Sequence, residues 1–588
     1  MPSKNDVTDV DLKRKADKAS RMRHLWTKMG GVISFISSRG HQDNHLNPSR
    51  QVRTRNGLVE GYRLNIADQK NVDIFLGVPF AKPPVGDLRF KKPVDAEDWE
   101  GVKKCVRFGP RAPQADFFWE KYTLGVKTSE DCLYLNVFSP EWKSKEDTKL
   151  HSVMVYVHGG GFLIDSAVKY GDVGIAKYLC RHDVVVVTIQ YRLGLLGFFS
   201  TGDDACPTNL GLWDMTKALE WVRDNIHAFG GDPRKITVFG QSAGGASVDF
   251  LSISPHSRDL FQQVVPMAGN GECEWSTVAE PKLVASCKDF ATRKHWDGGS
   301  EENATSEMIS YLKTRKEKEF ERRLLTRKGV DVSKIGLDLA PVIGKSPEDF
   351  LPKPIDELRK EAPKKNIMVG TCEYEGLLFA TLGPTNFDVK GIDKLLDLVI
   401  TNEYHEDYVD LRREARALYL RKEGDEDDRD AAARGFIRLY SDLFVNNGTY
   451  KYAYKMTQFG HKVYMYSFDY YNPKSFGLLA LRTPFKAATH CTELTYIFGV
   501  SIVFNFRMTD EDKAMLDLMT RMWTNFAKYG NPNGPYEDSS VFDFKWEPTD
   551  PEHPLKFLSI AKKCEMKDEY HEHRANFWKK IKLSAKCC

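Results

Sequence analysis

Ile236-Thr237-Val238-Phe239-Gly240-Gln241-Ser242-Ala243-Gly244-Gly245-Ala246-Ser247 runs from an apolar, β-branched stretch through Gly-x-Ser-x-Gly into small residues. Such a run reads as a strand, a sharp turn and a helix start. A serine at the tip of that turn takes a strained backbone. Its neighbours must lack bulk for a helix to leave directly. The hydroxyl then stands at the C-terminal edge of a sheet. The Ala243 amide, at a helix N-terminus, points to where a negatively charged oxygen would form. Ser242 is therefore the candidate nucleophile.

Outward from this point, strand signals alternate with helical ones. The clearest strands are Ser152–Val157, Val184–Gln190, Lys235–Phe239, Asn366–Val369 and Lys462–Phe468. Leu212–Asn225 has helical apolar spacing at Leu212, Met215, Leu219 and Val222. Val52 to Gly61 reads as a hairpin around Asn56-Gly57. Fully apolar strands such as Val184-Val185-Val186-Val187 predict an α/β architecture, a large and mostly parallel central sheet with helices on both faces. Residues 51–580 are read as one domain. Residues 1–50 form a basic extension, and 581–588 a basic tail ending Cys587-Cys588. In the extension, Leu12, Ala16, Ala19, Met22, Leu25 and Trp26 lie among Lys and Arg residues at a spacing that permits an amphipathic helix. It would lie on an anionic membrane, dock on the protein's own surface, or remain a mobile tail.

A second glycine run, His158-Gly159-Gly160-Gly161-Phe162, follows the strand Ser152–Val157. Glycines let the backbone approach a ligand and aim several N–H groups at one point. Gly160, Gly161 and Ala243 are the expected three-amide oxyanion hole. His158 ends its strand inside this motif and is read as structural. A serine needs a base, and the base needs an anion to hold its tautomer. Among 15 histidines, His490 lies on a loop before a helical run, with His256, His295, His405, His461, His553, His571 and His573 also downstream of Ser242. For the acid, Glu375 and Glu373 both follow the strand Asn366–Val369.

Hydrophobic residues make up 41% of the 588-residue chain and charged residues 28%, enough apolar material for a large core. The near balance of 85 basic and 82 acidic residues argues against a nucleic-acid partner. No run approaches about 20 apolar residues, and the first 31 lack the apolar core of a secretion signal, so a cytoplasmic address is expected. Eleven irregularly spaced cysteines without CxxC pairs are neither a disulfide scaffold nor a zinc site.

Taken together these residues resemble the type-B carboxylesterase and cholinesterase family of α/β-hydrolases, over roughly residues 50–580. Further motifs carry the likeness: Phe75-Leu76-Gly77-Val78-Pro79-Phe80-Ala81-Lys82-Pro83-Pro84-Val85-Gly86, Ser129-Glu130-Asp131-Cys132-Leu133-Tyr134-Leu135-Asn136-Val137, Tyr191-Arg192-Leu193-Gly194 and Ala228-Phe229-Gly230-Gly231-Asp232-Pro233. The resemblance implies the α/β-hydrolase fold and cleavage of small-molecule carboxylic esters, with no cofactor and no metal. It implies Ser242 as nucleophile, Glu375 rather than Glu373 as acid, and His490 as base. Cys105 and Cys132 match the family's first disulfide pair. Three departures stand out. Gln241 replaces the glutamate that helps cholinesterases hold a cation, as in juvenile hormone esterases. Phe117-Phe118-Trp119 is spaced differently from a choline-binding tryptophan. Ala268 stands where the family often has a serine. The chain is thus expected to be an intracellular, invertebrate-type carboxylesterase, not a cholinesterase. A non-catalytic neuroligin-like binding protein, an amidase and a thioesterase are the alternatives. Peripheral membrane contact through the N-terminal extension or a lipidated Cys587-Cys588 is a further expectation.

Overall fold

The structure is a computed structural model. It describes residues 46–67, 69–117, 120–145, 148–300, 302–324, 336–383, 387–421, 428–501, 506–581 and 583. The N-terminal extension before Leu46, Phe118-Trp119 and Cys587-Cys588 lie outside the described residues.

Thirteen strands build one sheet: β1 (Pro48–Arg53), β2 (Leu58–Ala67), β3 (Lys70–Pro79), β4 (Val102–Lys104), β5 (Tyr134–Pro140), β6 (His151–Val157), β7 (Val184–Ile189), β8 (Gly231–Gln241), β9 (Gln263–Met267), β10 (Asn366–Cys372), β11 (Lys462–Phe468), β12 (Phe557–Ile560) and β13 (Glu565–Lys567). Their order is β1-β2-β3-β5-β7-β6-β8-β9-β10-β11-β12-β13, with β4 beside β2. From β7 to β12 every pairing is parallel; the flanks are antiparallel, except that β4 runs parallel to β2. The expected hairpin is β1–β2, closed by Thr54 N–H donating to the Gly57 carbonyl. The domain opens at Pro48, so the last residues assigned to the basic extension belong to the sheet.

Five helices matter to the site: α1 (Leu210–Asn225), α2 (Ala243–Ile253), α3 (Gly376–Leu382), α4 (Thr492–Phe498) and α5 (Asp510–Tyr529). The strand period of two divides the central sheet between them. Val153, Val155 and Val157 of β6 share a core with Leu212 and Leu219 of α1 and Val248 and Leu251 of α2. Met154 and Tyr156 face the other way, into a core with Met519 and Trp523 of α5. Both faces are buried, which is why the parallel strands read as continuous apolar runs.

Register then sets the site. Val157 pairs with Gly240, Gln241 with Met267, and Met267 with Gly370. The C-terminal ends of β6, β8, β9 and β10 therefore meet along one edge, the place where open parallel sheets bind ligands.

A distal segment clasps β10. Tyr570 and Thr371 are joined by a 2.7 Å hydroxyl–hydroxyl hydrogen bond, and Arg574 Nε donates to Asp442 Oδ2 at 2.6 Å. His571, Glu572 and His573 in this clasp all have φ between 45° and 61°, a left-handed run without glycine.

One expectation from the resemblance is corrected. Cys105 and Cys132 are both buried free thiols, not a disulfide. Each is anchored separately. Cys105 bridges β2 and β3, its N–H donating to the Glu60 carbonyl and its carbonyl accepting from Leu76. Cys132 is packed in the field of Asp214 and Arg192. Burial raises both thiols, Cys105 to about 12, so neither is primed to oxidise.

Candidate active site

Ser242 sits between β8 and α2 at φ 61° and ψ −126°, the strained conformation expected at a sharp strand-to-helix turn. Strain there is worth on the order of 1–3 kcal/mol and must be held by its surroundings. Ser242 N–H donates to the Met267 carbonyl at 2.8 Å. A Cβ on Gly244 would stand 2.2 Å from the Val157 carbonyl oxygen, so only glycine lets α2 leave in this direction.

The glycine run after β6 packs against this turn. A Cβ on Gly159 would stand 2.5 Å from the Gln241 carbonyl oxygen and 3.1 Å from Ser242 Cβ. Gly160 and Gly161 have φ of 95° and 61°. Among the described residues, the N–H groups of Gly160, Gly161 and Ala243 donate to no protein acceptor. Three unspent donors beside a serine are what a developing oxyanion would accept from. His158 lies elsewhere: it is buried, stacked on Tyr191 at 4.4 Å, and its Nδ1 contacts the Gly159 carbonyl. Burial lowers its pKa and keeps it neutral.

His490 and Glu375 come together. His490 Nδ1 donates to Glu375 Oε2 at 2.5 Å, and Glu375 Oε1 accepts the Cys372 N–H at 2.6 Å. Both side chains are buried. Glu373, the rival acid, points to another neighbourhood. Its N–H donates to the Phe468 carbonyl, and burial together with Asp469 pushes its carboxyl up to about 7.

The imidazole is held on several sides. Phe379 and Phe444 lie with ring centroids 5.0 and 5.5 Å from it. Gln241 Nε2 lies 3.2 Å from His490 Nε2 and 3.3 Å from Nδ1. An atom so nearly equidistant from both ring nitrogens sits over the ring face, not on either lone pair. Gln241 Oε1 accepts from Cys491 Sγ at 3.2 Å, which fixes the amide. Ser242 Oγ makes no hydrogen bond among the described residues, so the Ser242–His490 contact is open here. Catalytic contacts of this kind commonly tighten only when substrate is bound.

Residues 48–578 match the model of the carboxylesterase family. The chain belongs to the carboxylesterase family. A Caenorhabditis elegans protein named Esterase cest-33 is 40% identical over 562 residues, covering 94% of this chain and 96% of the relative. A medium-chain fatty acyl-CoA hydrolase precursor from Anas platyrhynchos is 32% identical, covering 82% and 85%. Neuroligin-3 of Mus musculus is 29% identical, covering 91% and 69%. The α/β-hydrolase fold and carboxylic ester hydrolysis, expected from the resemblance, therefore stand for this carboxylesterase.

Two residues behind the His490–Glu375 pair escaped sequence reasoning. Cys372 donates both to Glu375 and, through Sγ at 3.0 Å, to Glu493 Oε2. Glu493 is wholly buried, and burial with the nearby Glu375 charge raises its pKa far above the usual carboxylate range. The only signal in the sequence was a glutamate three residues after the candidate base, which a capping role explains equally well. Among the described residues there is no cluster of side chains suited to a metal ion.

Proposed function

We propose that this carboxylesterase works through an acyl-enzyme on Ser242. Ser242 Oγ attacks the carbonyl carbon of a small-molecule ester while His490 Nε2 takes its proton. Glu375 fixes the Nδ1–H tautomer and balances the imidazolium that forms. The carbonyl oxygen, now negative, accepts from the N–H groups of Gly160, Gly161 and Ala243. Collapse of the tetrahedral centre expels the alcohol, which leaves with the proton from His490. Water then attacks the acyl carbon, losing a proton to His490, and the acid departs as Ser242 regains its hydrogen. The observation that carries this reading is the His490–Glu375 bond of 2.5 Å.

Ser242→Ala is expected to lower kcat on a short-chain p-nitrophenyl ester by about 10⁴-fold or more. An organophosphate should label the native protein covalently and leave this variant unlabelled. Turnover retained in the variant would overturn the assignment of the nucleophile. A thioester reading is kept because one relative is named a fatty acyl-CoA hydrolase and the same machinery does not choose the leaving group. Acyl-CoA and oxygen-ester rates measured side by side decide between them.

A further inference from the structure

Glu375 has a second buried carboxyl for a neighbour, and one residue links the two. Cys372, the last residue of β10, gives its N–H to Glu375 Oε1 and its S–H to Glu493 Oε2. Two carboxylates tied to one residue in a water-excluded place cannot both ionise without large repulsion. The donors say which one stays charged. Glu375 accepts from two N–H groups, those of Cys372 and His490. Among the described residues, the side-chain donor to Glu493 is a thiol, a weak one. Glu493 Oε1 is buried with no hydrogen-bond partner among the described residues, as is the Tyr466 hydroxyl of β11. A charged oxygen left in that state would be very costly, whereas a carboxylic O–H is a modest dipole.

We propose that Glu493 is a positioning residue for the reaction: held as an un-ionised acid, it fixes Cys372 and through it the Glu375 carboxylate, and its ionisation strengthens the base His490. The proposal rests on the reading of His490 and Glu375 given above. The titratable groups acting on Glu493 are Cys372 and Glu375 from β10 and its turn, Tyr466 from β11, Tyr156 from β6 and Cys491 from its own loop. Burial raises the pKa of both thiols and both phenols, so none of these four adds a charge beside Glu493. When Glu493 loses its proton, a second negative charge appears near the His490–Glu375 pair. It favours the imidazolium formed in the transition state, and the rate climbs.

The test is kcat/KM for a short-chain ester across about pH 5.5 to 9.5 for the native protein, Glu493→Gln and Ser242→Ala. The native profile should show a first rise, shared with Glu493→Gln, and a second rise near pH 8, where the Glu493 carboxyl titrates. Glu493→Gln, uncharged and similar in shape, should keep the first rise and lose the second, with rates at about pH 6.5 within about fivefold of native. A single rise in the native protein, or a second rise intact in Glu493→Gln, would overturn the proposal. So would a loss beyond about 100-fold at the acid end in a folded Glu493→Gln, since the anion would then be the working form. Activity retained in Ser242→Ala would instead undo the underlying mechanism. Should Glu493→Gln fail to fold, infrared difference spectra of the native protein decide. A protonated-carboxyl band that vanishes on alkaline titration and shifts in Cys372→Ala supports the proposal, and its absence refutes it.

Discussion

At the scale of single residues, the site is a matter of which carboxyl faces which donor. Glu373 and Glu375 are two positions apart, and nothing in composition or spacing separates them. The backbone does: the turn after β10 offers the Cys372 N–H to Glu375 and leaves Glu373 beside Asp469. Glu493 was illegible for a related reason, since its donor Cys372 and its neighbour Tyr466 come from strands far off in sequence. Its raised pKa also has a consequence for stability. A carboxyl whose pKa is higher folded than unfolded contributes stability that is fully present below the unfolded value and is lost as pH rises through the folded one. Between the ordinary carboxylate range and about 8, the native protein should therefore lose stability that Glu493→Gln keeps. Melting temperatures of the two at about pH 5 and about pH 9 check this, and the gap between them should narrow in favour of the variant as pH rises.

At the scale of elements, the strand–turn–helix around Ser242 was readable because each residue there obeys a local demand. The Lys462–Phe468 strand was readable end to end for the same reason. By contrast β8 begins at Gly231, four residues before the predicted start at Lys235, because His151 of β6 pairs with Gly231 across the sheet. β12 and β13, four and three residues long, are too short to show a period. The tight exit of α2 gives a sharp expectation. Gly244→Ala places a methyl 2.2 Å from the Val157 carbonyl oxygen, an atom of the β6 backbone that cannot step aside. The turn must open, and the loss of activity should exceed the loss of stability, as kcat beside a denaturation midpoint would reveal. Circular dichroism near native with kcat down by more than about 100-fold is the expected pattern.

At the scale of the molecule, β-strands from both halves of the chain converge on one sheet edge, and buried ion pairs tie the layers behind it. Arg359 lies on the helix Ile355–Glu361 and is wholly buried. It gives two 2.7 Å hydrogen bonds to Asp249 of α2, the helix that leaves Ser242. Removing one partner strands the other charge in the interior, so Arg359→Met should cost about 3–5 kcal/mol. Urea unfolding followed by fluorescence measures it. Asp249→Asn together with Arg359→Met should recover part of the loss, because no lone charge remains.

The clasp on β10 can also be placed in time. Thr371 and Tyr570 are 199 residues apart. A ribosome adding about 5–20 residues per second needs roughly 10–40 s to pass from one to the other. Throughout that interval β10 and its glutamate are already made while their clasp has yet to be synthesised. The nascent chain therefore carries the Ser242 turn well before the segment that clasps β10 exists.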